Sequence, residues 1–196
     1  KITLHTLFEY TDNHSLLLGG RVSGDNPKIY DYFKREELSV ANAIPTAEGA
    51  IEIALSETAH TLFKSKCLVI GFGRIGKILA NRLKALGSDV TVSARKYSDF
   101  AWIDAFGYKH LDSNNLDGKI SDFRIIFNTV PSMILSDTLL KQIPKNTLNI
   151  DLASKPGGVD FTLAKELGLK VIWALSLPGK SAPITSGEII KDTVIN

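Results

Sequence analysis

Nine residues, "LVIGFGRIG" from Leu68 to Gly76, constrain the fold of this chain more than any other stretch. The run "KCLVI" has the composition of a buried parallel strand. Gly71, Gly73 and Gly76 follow in GxGxxG spacing. "GRIGKILANRLKALG" then reads as an amphipathic helix ended by Gly87. A second strand, "DVTVS", begins at Asp89. Strand, glycine turn, helix and strand in that order are the context a dinucleotide-binding motif requires. Gly71 is expected to make the tight turn, Gly73 to let backbone approach a pyrophosphate, and Gly76 to let helix and strand pack closely. Arg74 and Ile75 open the helix, where free N–H groups face phosphate oxygens. The competing reading is a glycine turn with no ligand.

The pattern on either side extends the unit. The first 43 residues are irregular, with short apolar runs and the polar interval "RVSGDNPK". A helix of about 18 residues, about 27 Å long, is expected from Thr46. Pro45 is its start signal, and Ala47, Ile51, Ala54, Leu55, Thr58 and Leu62 form one stripe. Glu48 would cap this helix or face a cleft between domains. After "DVTVS" come a helix around "YSDFAWIDAFG", a weak strand at "YKHL", a strand "RIIFNTV", a short helix "SDTLLKQI" and a strand "TLNIDLA". "DFTLAKELG" is a helix, "KVIWAL" a strand and "TSGEIIKDTVI" a final helix, with Thr185 and Glu188 spaced as a capping box. Repeated alternation of strand and helix predicts an α/β fold with a doubly wound parallel sheet of about six strands, the Rossmann architecture. The expected divisions are 1–42 as part of an N-terminal substrate or partner domain, 43–64 as a connecting helix, and 65–196 as the NAD(P)-binding domain. The stretch before the helix reads as the remainder of a domain, so natural sequence is expected before Lys1.

The end of the second strand selects the cofactor. NAD-binding units place Asp or Glu there to take the ribose hydroxyls. This chain places Ser93, Ala94, Arg95 and Lys96 there instead. A carboxylate repels the ribose phosphate of NADP, whereas an arginine pairs with it through two parallel hydrogen bonds. Ser93, Arg95 and Lys96 therefore point to NADP rather than NAD. A solvated basic pair in a loop is the alternative.

Ligands of such folds lie outside the carboxyl ends of the strands. The loop "NTVPSMIL" brings Asn128, Thr129, Val130, Pro131 and Ser132 beside the nicotinamide end, unless it is an ordinary proline turn. "DLASKPGGVD" holds Asp151 at a strand end and Lys155, placed to present a cation to an acidic substrate. "SLPGKSAPITSGE" adds Lys180 on a rigid, anion-receptive turn, so that Lys155 and Lys180 together hold two carboxylates. Ser132, Lys155 and Lys180 are the candidate catalytic residues, and no general base stands out. His5, His14, His60 and His110 lack metal-ligand spacing, and no metal site is expected. Cys67 is expected to be small and buried, and Trp102 and Trp173 to be core residues.

Composition removes other classes. A net charge of +2 gives no argument for nucleic acid or membrane. No run of 18 apolar residues is present, and one cysteine allows no internal disulfide, which fits a reducing cytoplasm.

With these motifs assembled, the chain resembles the family of the A-type subunits of dipicolinate synthase from spore-forming bacteria. The resemblance rests on "NAIPTAEGAIEIA", "VIGFGRIGKILA", "VTVSARK", "FNTVPSMIL", "IDLASKPGGVDF" and "LPGKSAPITSGEII", from Asn42 to about Ile190. It implies a flavodoxin-like N-terminal domain, of which residues 1–42 are the C-terminal remnant. It also implies NADP-linked oxidation of a dihydro or hydroxy-tetrahydro precursor to dipicolinate (pyridine-2,6-dicarboxylate) in the cytoplasm of a sporulating mother cell. The B-type subunit of dipicolinate synthase and a small dicarboxylate substrate are the implied partners, and a homo-oligomer stays open. A wider likeness joins the chain to D-2-hydroxy acid dehydrogenases. Their arginine after the fifth strand falls at Lys155, but their catalytic histidine loop is replaced by "SLPGKSAP", with no histidine, and the "PGKSAPIT" turn is similar to the PGG-containing turn of methylenetetrahydrofolate dehydrogenases. Two alternatives stay open: a hydroxy acid dehydrogenase acting on an open-chain keto acid, and a cofactor-holding scaffold whose partner performs the chemistry.

Overall fold

The parallel sheet is built from the short apolar runs that the sequence marks as buried strands. A computed structural model describes residues 3–12, 14–22 and 28–196. The six strands are β3 (Lys66–Ile70), β4 (Asp89–Ala94), β5 (Lys109–Asp112), β6 (Ile125–Asn128), β7 (Leu148–Asp151) and β8 (Lys170–Trp173). They lie in the order β5-β4-β3-β6-β7-β8, and every pairing is parallel. This is the doubly wound order 3-2-1-4-5-6, counting from β3. The chain leaves β3 toward one edge and returns at β6, so the carboxyl ends of β3 and β6 flank the switch point.

Successive side chains of a strand point to opposite faces. Cys67 and Val69 therefore join one core, and Leu68 and Ile70 the other. The first core is closed by α2 (Glu36–Glu57), α3 (Arg74–Ala85) and Ile103 of α4 (Tyr97–Ala105). The second is closed by Leu140 of α5 (Asp137–Leu140), Ala164 of α6 (Phe161–Glu166) and the loop residues Leu116, Ile120 and Phe123. Cys67 is fully buried, and burial pushes its thiol up to about 11. It packs as a small apolar group, as expected.

Helix α2 differs from its expected bounds. It starts at Glu36, ends at Glu57 and carries Pro45 in its interior. Glu36 and Glu37 in the first turn favour a start there, because carboxylates complement the positive helix end. Pro45 is buried, so packing of the extra turns outweighs the hydrogen bond that proline removes. Leu62, expected on the helical stripe, lies beyond the helix end, and Leu55 is half exposed. Glu48 lies inside the helix and does not cap it; it pairs with Arg82 of α3 at 3.0 Å.

The final helix also starts early. A short α7 (Leu177–Ser181) is followed by α8 (Pro183–Ile195), so Thr185 lies inside α8 and no capping box forms. Proline suits the first helical position, and Pro183 takes it. Trp102 is not a core residue: it is 58% exposed. Trp173 is half-buried, stacks on Phe161 and donates to the Ala153 carbonyl at 3.0 Å.

The first residues are less irregular than their sequence suggests. They contain α1 (Leu4–Glu9) and a parallel pair, β1 (Leu17–Gly19) with β2 (Ile29–Asp31), then a single 3-10 turn, Tyr32–Lys34. Most of the polar interval "RVSGDNPK" lies outside the described residues. Among the described residues, no helix is long and apolar enough to cross a membrane.

Candidate functional site

The three motif glycines perform three different physical tasks. Gly71 has φ +100°, and a Cβ there would meet Thr129 Oγ1 at 2.5 Å and Val130 Cγ2 at 2.9 Å. The turn after β3 thus lies against the loop after β6, across the switch point. A Cβ on Gly76 would strike the Gly71 carbonyl oxygen, which is backbone and cannot swing aside. Gly73 faces open space, with nothing within 4 Å of its virtual Cβ. No side chain caps α3 at Gly73, so the positive end of α3 is free to meet an anion. The cradle fits a dinucleotide pyrophosphate: two glycines are needed for the shape, and the third leaves room.

The basic strand end lies beside this cradle. Arg95 and Lys96 are exposed immediately after β4, the strand beside the glycine turn. Gly71 N–H donates to the Ser93 carbonyl at 2.9 Å, tying the two segments together. Ser93 itself is fully buried, and Ser113 Oγ donates to its hydroxyl at 3.0 Å. Its hydroxyl therefore shapes the strand end and does not reach outward. Arg74 is likewise engaged: its Nε and Nη2 donate to the two Glu36 carboxylate oxygens at 2.7 and 2.6 Å. The Arg74 hydrogen bonds hold the Glu36 carboxyl below the usual range, and Glu36 holds the guanidinium above its own. Ile75 is partly buried and lines the cleft described below.

Asn128 and Asp151, expected to touch cofactor, form an internal brace. Asn128 Nδ2 donates to Asp151 Oδ1 at 2.8 Å and to the Val130 carbonyl at 3.1 Å. Asp151 Oδ1 also accepts from Ala153 N–H at 3.1 Å, and Oδ2 from Gly158 N–H at 2.9 Å. Both side chains are buried. A carboxylate accepting three N–H groups is well solvated by protein. The brace fixes the loops after β6 and β7 to each other, and the Gly158 carbonyl accepts from Ile134 and Leu135 N–H at 3.0 and 2.9 Å. A Cβ on Gly158 would collide with Asn128 Nδ2, which accounts for one member of the glycine pair. The Lys155–Pro156 peptide bond in this loop is cis.

A cleft of about 820 Å³ opens beside these loops, within the size range of small-molecule sites. Its polar lining is Arg21, Asn42, Thr46, Ser154, Lys155 and two further serines, Ser176 and Ser186. Its apolar lining includes Phe33, Ile75 and Leu177. Lys155 therefore faces a cleft. Ser132, Pro131 and Lys180 are exposed and do not line it. Lys180 lies in α7, whose other residues Leu177, Pro178 and Gly179 do line the cleft. Thr129 Oγ1 donates to the Ile70 carbonyl at 2.9 Å, and it and the Val130 side chain lie nearest the glycine turn.

Sequence reasoning missed Arg21, Asn42, Thr46 and Ser176. Asn42 and Thr46 had a usable signal: they are four apart on α2 and share a face. Ser176 has φ +61°, a left-handed conformation invisible in the sequence. Arg21 reaches the cleft only through tertiary placement of the first residues.

Comparison with known proteins agrees with this geometry. The family model "D-isomer specific 2-hydroxyacid dehydrogenase, NAD binding domain" matches residues 46–153. The chain is 39% identical over 167 residues to the A-type subunit of dipicolinate synthase of Bacillus subtilis (strain 168), covering 85% of this chain and 56% of that protein. The crystal structure of that subunit type from Bacillus subtilis superposes with a TM-score of 0.83 at 38% identity, over 85% of this chain and 56% of that one. Its counterpart from Bacillus halodurans gives 0.82 at 35% identity, over 85% and 57%. The chain thus spans little more than half the length of these relatives. It belongs to the family of NAD-binding domains of D-isomer specific 2-hydroxyacid dehydrogenases and, within that relationship, to the family of dipicolinate synthase A-type subunits.

Proposed function

We propose that the chain is the NADP-binding part of a dipicolinate synthase, in its A-type subunit, and that it oxidises a dihydrodipicolinate-type precursor to pyridine-2,6-dicarboxylate. One observation carries this reading. The open glycine cradle at Gly73, the exposed Arg95–Lys96 pair and a cation-lined cleft lie along one carboxyl edge of the sheet. When bound, the nicotinamide accepts a hydride. The protein's share is to hold both partners and screen their charge. The first turn of α3 takes the pyrophosphate, and Arg95 with Lys96 takes the ribose phosphate. Thr129, Val130 and Pro131 shape the nicotinamide end. Lys155 takes a substrate carboxylate, and the ring proton lost with the hydride leaves to solvent. Ser132, exposed on the same loop as Pro131, is assigned a contact with the substrate.

The cleft's described lining contains no histidine or carboxylate. This supports ring oxidation over hydroxy acid chemistry run by a His–Glu pair. In the same reading residues 1–42 belong to the substrate or partner domain, residues 43–64 connect, and residues 65–196 hold the cofactor. The location is cytoplasmic, and a second, B-type subunit completes the enzyme. The Bacillus subtilis relative is named as one lettered subunit of its synthase, which implies such a partner for that protein.

The test is turnover. The full chain is supplied with the dihydrodipicolinate precursor and NADP, with and without its B-type partner, while pyridine absorbance and NADPH are followed. Equal formation of both products supports the reading. Turnover only of an open-chain keto acid overturns it.

A further inference from the structure

The cleft carries a cation that the motifs did not supply. The backbone at Arg21 is fixed by one carboxylate: Arg21 N–H donates to Asp31 Oδ1 and Val22 N–H to Asp31 Oδ2, both at 3.0 Å. Arg21 sits there with φ +57°. The guanidinium lies over the Phe33 ring, 5.2 Å from its centroid, and both residues line the cleft. Among the described residues no carboxylate lies within ion-pair distance of the Arg21 guanidinium. The same holds for Lys155, on the loop after β7, which also lines the cleft. The neighbouring arginines are engaged: Arg35 pairs with Glu37 and Arg74 with Glu36. Asn42 adds a buried acceptor, Oδ1, with no donor among the described residues.

Two cations on one cleft, neither with a carboxylate partner among the described residues, repel each other, and a ligand with two negative charges removes that repulsion. Arginine suits the task because its planar fork meets a carboxylate through two parallel hydrogen bonds, and its cation is weakly hydrated enough to rest on an aromatic face. Lys180 does not line the cleft.

We infer that Arg21 and Lys155 form a two-point clamp for a dicarboxylate ligand, with Arg21 the residue that selects diacids over monoacids. This inference rests on the proposed oxidation of a dicarboxylate at the same cleft. It assigns the selectivity to the first residues of the chain, outside the NAD(P)-binding domain.

The experiment is equilibrium binding to the full chain loaded with NADPH. Four probes are titrated: pyridine-2,6-dicarboxylate, pyridine-2-carboxylate, 2-oxoglutarate and 2-oxobutanoate. The proteins are wild type, Arg21→Ala, Arg21→Lys and Lys155→Ala, each with its melting temperature recorded. The expected result is a preference of wild type for diacid over matched monoacid of about tenfold or more. Arg21→Ala abolishes that preference and leaves monoacid affinity unchanged, Arg21→Lys restores part of it, and Lys155→Ala weakens all acids. An unchanged diacid-to-monoacid ratio in Arg21→Ala, with the ring diacid still bound, overturns the clamp and leaves the proposed oxidation standing. Arg21-dependent preference for 2-oxoglutarate without binding of the ring diacid keeps the clamp and overturns the dipicolinate reading. Absence of binding by all four acids overturns both.

Discussion

At Gly73 and Gly76 the same chemical change has opposite expected consequences. Gly76→Ala drives a Cβ into the Gly71 carbonyl, so it should cost about 1–3 kcal/mol of stability as well as cofactor binding. Gly73→Ala meets no protein atom. Its stability should stay within about 0.5 kcal/mol of wild type, the range of unobstructed surface changes, while NADPH binding falls, because the space belongs to a ligand. Urea unfolding and NADPH fluorescence titration separate the two variants; an unimpaired Gly73→Ala would remove the cofactor from that space. Asp151→Asn makes a different point. Either amide orientation sets an N–H donor against Asn128, Ala153 or Gly158 donors. A loss of about 1–3 kcal/mol is expected for the unsatisfied group, and stability equal to wild type would show the brace to be dispensable. The tight turn at Gly71 and the close approach at Gly76 were readable from the sequence, because each follows from local geometry. The inward turn of Ser93, Asn128 and Asp151 was not. A polar residue at a strand end suits a ligand or a neighbouring loop equally well, and only the neighbour's position decides.

At the scale of elements, strands were more legible than helix ends. A buried parallel strand has a narrow composition, and all six expected strands are present. Helix starts depend on what packs against the extra turns. Pro45 reads locally as a start, yet α2 begins nine residues earlier, at Glu36, and buries the proline. That early start positions Glu36 to hold Arg74 at the head of α3. The Glu36 carboxyl is lowered in the folded chain. Its pairing with Arg74 therefore contributes above the ordinary glutamate pKa and is lost as pH falls through the lowered folded value. Melting temperature should consequently drop more steeply for wild type than for Glu36→Gln as pH falls below about 4.3, and the two should run parallel near neutrality. Parallel curves throughout would mean the pair is indifferent to stability. Because Arg74 is engaged by Glu36, it ties α2 to α3.

For the whole molecule, the sequence announced one edge of the sheet as the working edge, and the loops after β3, β4, β6 and β7 do converge there. What it did not announce is that the first residues of the chain close over the same edge and bring Arg21 and Phe33 to the cleft. No local pattern encodes that approach; it depends on how α2 packs on α3, α7 and α8. In the proposed function the glycine cradle and the basic end of β4 form a single NADP site. The most direct measurement is paired titration of NADPH and NADH into wild type and Arg95→Ala. Wild type should bind NADPH more tightly than NADH. Arg95→Ala should weaken NADPH by about 1.5–3 kcal/mol, the value of a charge-assisted hydrogen bond, and leave NADH unchanged. Equal loss of both cofactors, or no loss of either, would contradict it.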